Sequence, residues 1–103
     1  MTMSKLFYVY VIENIIDSSW YIGFSTNAAR RIKEHNIKIG GSYSRKKLGK
    51  WRLIYIEGYA NKLDALGREK YLKSGAGRKY LKKQVKNYIK DKLTYFIASV
   101  AQR

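Results

Sequence analysis

The chain opens on an unbroken apolar run. Residues 6–13, LFYVYVIE, are aromatic and β-branched over the length of a strand, the pattern of a central strand buried on both faces. The turn formers Asp17, Ser18 and Ser19 follow, and WYIGF at 20–24 reads as a second strand. Two apolar strands joined by a short polar loop predict a hairpin. Ser25-Thr26-Asn27 supplies N-cap chemistry for a helix over 28–36, AARRIKEHN. Residues 40–50 read as a glycine- and cation-rich loop, and WRLIYIEGY at 51–59 as a third strand. Asn61 caps a second helix over 63–73 that stops near Ser74-Gly75. A third helix is expected over 78–93, with Tyr80/Leu81, Val85, Tyr88/Ile89 and Leu93 in a 3.6-residue stripe. The tail 94–103 extends that helix or packs separately. The order β-β-α-β-α-α predicts an α/β domain: a small, three-stranded, largely antiparallel sheet flanked by helices.

Length keeps this to one domain spanning 1–103, with a core over about 6–85 and a helical C-terminal extension over 86–103. The chain has no cysteine and a single histidine, which excludes a disulfide framework, a cysteine nucleophile and a Cys/His zinc site. No run of about twenty apolar residues exists, so no membrane span is expected. The N-terminus lacks a cleavage pattern and reads as a strand rather than a signal peptide. The simplest location is cytoplasmic.

Charge changes the picture more. The 103 residues hold 22 Lys+Arg against 7 Asp+Glu, for +15. Residues 1–29 are net −1, and residues 30–103 are net +16. Such an excess destabilises a compact fold by self-repulsion and so answers to a polyanionic partner, nucleic acid first. The cations cluster as Arg45, Lys46, Lys47, Lys50 and Arg52, and as Lys73, Arg78, Lys79, Lys82, Lys83 and Lys86, with Arg30 on the first helix. Tyr43, Trp51 and Tyr80 interleave aromatics suited to stacking on an unpaired base.

Two residues do not fit a plain scaffold. Glu69 lies four after Ala65 and three before Leu72, on the helix face that meets the core. A carboxylate buried there unpaired would cost several kcal/mol. It is either an ion-pair partner of Arg68, Lys70 or an arginine of the first helix, or a carboxylate kept at a cleft wall to hold a divalent metal. His35, four after Arg31 at a helix end, is either a dipole partner or a catalytic group. The tyrosines of the two strands read individually as core.

Taken together, YVY (8–10), ten residues, YIG (21–23), RRIKEH (30–35) and ALGREKYLK (65–73) resemble the GIY-YIG nuclease family. The likeness covers about residues 6–85. It is nearest to small stand-alone bacterial members, which are similar to the nuclease subunit of Slx-type structure-specific endonucleases. The resemblance implies a metal-dependent DNA endonuclease with Tyr10, Tyr21, Arg31, His35 and Glu69 as its site, and Glu69 as the ligand of Mg²⁺ or Mn²⁺. Two positions depart from the family pattern. The first glycine of GIY is Tyr8, and the asparagine that several members carry after the glutamate is missing before Asn87.

That chemistry suits these residues. Mg²⁺ takes only one or two carboxylates beside waters and substrate oxygens. Arg31 offers a fork for the phosphate. Tyr10 or Tyr21 would position or deprotonate the water, with its pKa drawn down by nearby cations, and His35 would share or orient that proton. A further protein partner could supply specificity. The alternatives are a non-catalytic, basic nucleic-acid-binding module of the same fold, and a ribosome-associated protein. If about five phosphates are neutralised, affinity for duplex DNA should fall roughly 500-fold between 50 and 200 mM salt. A flat salt response in a binding titration would remove phosphate from the account.

Overall fold

The computed structural model describes residues 5–37 and 47–101. In order these are β1 (Phe7–Asn14), β2 (Trp20–Ser25), α1 (Ala28–Asn36), β3 (Trp51–Tyr59), α2 (Lys62–Lys73), α3 (Gly75–Gln84) and α4 (Lys86–Ala101). The three strands form one antiparallel sheet in the order β2-β1-β3. The apolar opening run is therefore the central strand, and its last six residues are all buried. The loop cations Arg45 and Lys46, and Tyr43, lie outside the described residues.

The alternation of side chains along β1 makes two cores. Val9 and Val11 join Ile22, Ala65, Leu72 and Leu81 under α2 and α3. Tyr10 and Ile12 join Ala28 and Trp51 under α1. The end of α1 is stitched to the start of β3, because the Asn36 amide accepts from Trp51 N at 2.6 Å and donates to Trp51 O at 3.2 Å. This fixes the pitch of α1, and with it the direction of Arg31 and His35.

The caps follow the local chemistry. Asn27 accepts from Arg30 N at 3.1 Å, and Asn61 accepts from Leu63 N at 2.8 Å. Ser74 ends α2 and begins α3, accepting from Gly77 N at 3.1 Å.

The expected single helix over 78–93 is corrected: it starts at Gly75 and breaks at Val85. Val85 N still bonds Leu81 O at 3.0 Å, and Ile89 N bonds Val85 O at 3.0 Å. The ladder therefore bends more than it ends, and the apolar period runs through the bend unchanged. The bend brings Tyr88 and Lys92 onto Glu13 of β1. Beyond it α4 leaves the sheet, with Leu93, Tyr95, Phe96 and Ile97 exposed. The molecule is accordingly elongated, 56 × 29 × 29 Å, with a radius of gyration of 15.3 Å, against about 13 Å for a compact chain of this size. Among the described residues no helix is long and apolar enough to cross a membrane.

Gly77 sits where α3 crosses the end of α2, and a Cβ there would strike the backbone of Tyr71 and Leu72. Gly67, inside α2, has open space around it. Gly77→Ala should cost about 2 kcal/mol or more in urea unfolding, because backbone must move. Gly67→Ala should stabilise by about 1 kcal/mol through helix propensity. Equal effects at the two positions would refute this crossing.

Candidate active site

The site is built from the register of the hairpin. Tyr10 pairs with Gly23, and Ile12 pairs with Tyr21. Paired residues share a face, so Tyr10 and Tyr21 point to the same side, toward α1, with ring centroids 6.4 Å apart. A Cβ at Gly23 would meet the Tyr10 ring and hydroxyl. The glycine is needed because the Tyr10 ring lies across that backbone, toward the outer edge of the sheet formed by β2.

The Tyr10 hydroxyl ends on His35 Nε2 at 3.0 Å. Tyr10 is 1% exposed and His35 is 0% exposed. The Tyr21 ring packs against the imidazole with centroids 4.7 Å apart, and against Trp51 at 6.3 Å. Arg31, one turn before His35, faces both tyrosines and bonds Glu34 at 3.1 Å.

Electrostatics revise one expectation. Burial holds the Tyr10 phenol well above its ordinary value, and Tyr21 and the Glu69 carboxylate push the same way. Arg31 offsets only part of this. A Tyr10 phenolate drawn out by nearby cations is therefore corrected to a neutral phenol, because desolvation outweighs the guanidinium. His35 moves the other way. Burial, then Arg31, lower it to about 4, so it is a neutral imidazole and no dipole partner of α1. Tyr10 and His35 make a neutral, hydrogen-bonded pair at neutral pH.

Glu69 approaches from α2, and its charge is felt at Tyr10. Its ion-pair partner is none of those expected from sequence. Arg68 is held by Glu57 at 2.8 Å and covers the rings of Tyr71 and Tyr80. Glu69 instead meets Lys73 at 3.5 Å, a half-exposed lysine one turn on. Among the described residues no group of three acidic or imidazole side chains could cage a metal. The donor set is one hard carboxylate, which suits a cation that keeps most of its waters and takes substrate oxygens.

The expected DNA-binding cations divide. Arg30, Lys73, Arg78, Lys79, Lys82 and Lys83 are exposed on α1, α2 and α3. Lys47 bonds Asp17 at 2.9 Å and pins the β1–β2 turn. The stacking aromatics are corrected: Trp51 is 3% exposed and belongs to the core, and Tyr80 is covered by Arg68.

Sequence reasoning passed over Glu13. It is 2% exposed yet accepts from Trp20 Nε1 at 2.9 Å, from Tyr88 and from Lys92 at 2.8 Å. Burial alone would raise its pKa, but these donors outweigh it and hold the carboxyl below its usual range. The available signal was the one that flagged Glu69: an acid inside an apolar pattern.

His35 yields a prediction with a definite sign. In the unfolded chain it gains a proton near pH 6.5, and in the folded chain only near 4. Stability is complete above pH 6.5 and falls as pH drops toward 4, by about 2 kcal/mol at pH 5. The chain has one histidine, so His35→Gln should flatten urea-unfolding free energy between pH 7 and 5. A variant with the same slope would assign it to other groups.

Comparisons with known proteins give the chain its relatives. A UPF0213 protein of Streptococcus pneumoniae serotype 4 is 42% identical over 66 residues, covering 64% of this chain and 65% of its own length. The chain thus spans about two thirds of that relative. A structure-specific endonuclease subunit SLX1 homolog of Giardia intestinalis is 44% identical over 48 residues, covering 45% of this chain and 13% of its own length. The solution NMR structure of the UPF0213 protein BH0048 from Bacillus halodurans aligns with a TM-score of 0.48 at 33% identity, covering 77% of this chain and 84% of that one. The GIY-YIG catalytic domain family matches residues 6–93, which takes in all three strands, the Tyr10–His35 pair and Glu69; the chain belongs to that family.

Proposed function

We propose that the chain is a divalent-metal-dependent endonuclease that hydrolyses phosphodiester bonds of branched or otherwise irregular DNA, working in the cytoplasm. The observation that carries this reading is the convergence of Tyr10, Tyr21, His35 and Arg31 on one side of the hairpin, with the charge of Glu69 reaching Tyr10. The SLX1-homolog likeness supports structure over base sequence as the feature recognised.

The roles follow from the electrostatics. Arg31 remains a cation beside the tyrosines and offers its fork to the non-bridging phosphate oxygens. Tyr10 stays a phenol: its hydroxyl shares one proton with His35, and together they orient the attacking water. His35 is neutral above about pH 4, so it fixes the Tyr10 hydroxyl through a hydrogen bond and leaves the phenol its proton. Tyr21, packed on the same imidazole, confines the pair. Glu69 would hold Mg²⁺ or Mn²⁺, which when bound neutralises charge on the phosphate and the leaving oxygen. The exposed cations of α1, α2 and α3 bind the DNA backbone, and a separate protein could add specificity.

The test is a cleavage panel on linear, flapped, forked and four-way DNA with Mg²⁺ or Mn²⁺, comparing wild type with Glu69→Gln. Wild type should cut branched substrates and stop when the metal is chelated. Glu69→Gln should lose at least ~10²-fold in single-turnover rate, because the lost charge acts on the transition state. Its DNA affinity without metal should hold, and its melting temperature should barely move, since its ion pair is a long one to a half-exposed lysine. Binding with no cutting by wild type would establish the non-catalytic module instead. Loss of folding in Glu69→Gln would make the carboxylate structural.

A further inference from the structure

Two cavities adjoin between β2 and α3. One, of about 320 Å³, runs from Tyr21 past Trp20 to Lys73 and Arg78. The other, of about 450 Å³, continues from Trp20 and Arg78 to Lys82 and the serines of the β1–β2 turn. Trp20 and Arg78 line both, so the two form one groove that begins beside a candidate catalytic tyrosine. We propose that this groove holds an unpaired strand of DNA next to the scissile phosphate, with a base stacked on Trp20 and successive phosphates on Arg78 and Lys82. The inference rests on the nuclease reading and specifies how that site would recognise structure.

Three observations carry it. The first is charge. Five of the seven carboxylates are paired, with Arg31, Lys47, Arg68, Lys73, and the pair Arg52 and Lys92. Among the described residues Arg78 and Lys82 have no such partner, and the carboxylate that lines the groove beside them, Glu13, is already held by Lys92 and Arg52. The second is spacing. Arg78 and Lys82 are one turn apart on α3, a rise of about 6 Å along the axis, which is the scale on which phosphates repeat along an extended strand. The third is the aromatic. The indole N–H of Trp20 is donated to Glu13, which is 2% exposed and is also held by Tyr88 and Lys92. That bond fixes the ring before any ligand arrives, so little ordering remains to oppose stacking. Base–aromatic stacking tolerates any sequence. A continuous duplex keeps its base faces covered by neighbours and offers Trp20 nothing to stack on, so the groove discriminates by strand state.

The experiment uses the whole chain labelled with 5-fluorotryptophan, without metal, so no cleavage enters. Its two tryptophans give two fluorine resonances, assigned through Trp20→Phe or, if that variant does not fold, through Trp51→Phe. A short oligothymidylate should shift the Trp20 resonance and leave that of buried Trp51 in place, whereas a blunt duplex should shift neither. Trp20→Leu, which removes the π-face, should lower the ratio of oligothymidylate to duplex affinity about 10-fold, the scale of one lost stack. Replacing Arg78 and Lys82 together with glutamine should reduce the oligonucleotide salt slope by about 1.4. A Trp20 resonance unmoved at saturation, or moved equally by blunt duplex, overturns the proposal. So does a salt slope unchanged by the double variant, and so does a strong preference for RNA of the same sequence. Failure of the nuclease reading would show instead as absent cleavage beside an intact Trp20 response.

Discussion

The ring of Tyr10 lies across the backbone of Gly23 and ends on His35, and the site depends on that one passage. It requires a residue without a side chain opposite Tyr10 in the hairpin register. It requires α1 at the pitch that buries His35, which the two bonds of the Asn36 side chain to the Trp51 backbone enforce. It also sets the chemistry. A phenol packed between sheet and helix is desolvated, so Tyr10 keeps its proton, and an imidazole in the same pocket beside Arg31 stays neutral. Burial moves the two groups in opposite directions away from neutral pH, so the hydrogen-bonded pair keeps both members uncharged.

Two carboxylates stand out against apolar surroundings, and the molecule treats them oppositely. Glu13 is sealed in, and its desolvation is offset by an indole, a phenol and an ammonium, each within hydrogen-bond reach. Removing any one donor would leave a buried charge short of a partner, which makes Glu13 a structural clamp between the hairpin and α4. Glu69 is partly open to solvent and has one long pair with a half-exposed lysine. A pair of that kind contributes little to stability. On the proposed reading, a partly open acid, weakly compensated and felt at the Tyr10 phenol, is the one disposed to take a cation, and Glu13 is not.

Much of this was legible in the sequence. The three strands, the caps at Asn27 and Asn61 and the stop at Ser74 follow from local chemistry that tertiary packing reinforces. The shared face of Tyr10 and Tyr21 follows from the two-residue period of a hairpin. The break at Val85 was hidden because a bend in a helix leaves the 3.6 period intact, and its reason lies 72 residues earlier in Glu13. The neutral state of Tyr10 was hidden for a related reason. Sequence shows that cations are near, but only the packed structure shows that burial exceeds them. Trp20 read as a strand residue like any other, because its role depends on a bond across the hairpin and on cations of α3 that come together only in three dimensions.

The net charge of +15 bears on how such a site would take its metal. A divalent cation approaching Glu69 meets one carboxylate, already shared with Lys73, on a chain whose net charge is strongly positive. Free protein should therefore hold it weakly. DNA reverses this field, because its phosphates neutralise the exposed lysines and supply oxygens beside the carboxylate. By linkage, whatever factor the polyanion adds to metal affinity, the metal adds to DNA affinity. On the proposed reading, the excess charge does more than attract substrate. It keeps the site without its cation until DNA is in place, so that the hydrolytic centre is completed only on the strand to be cut.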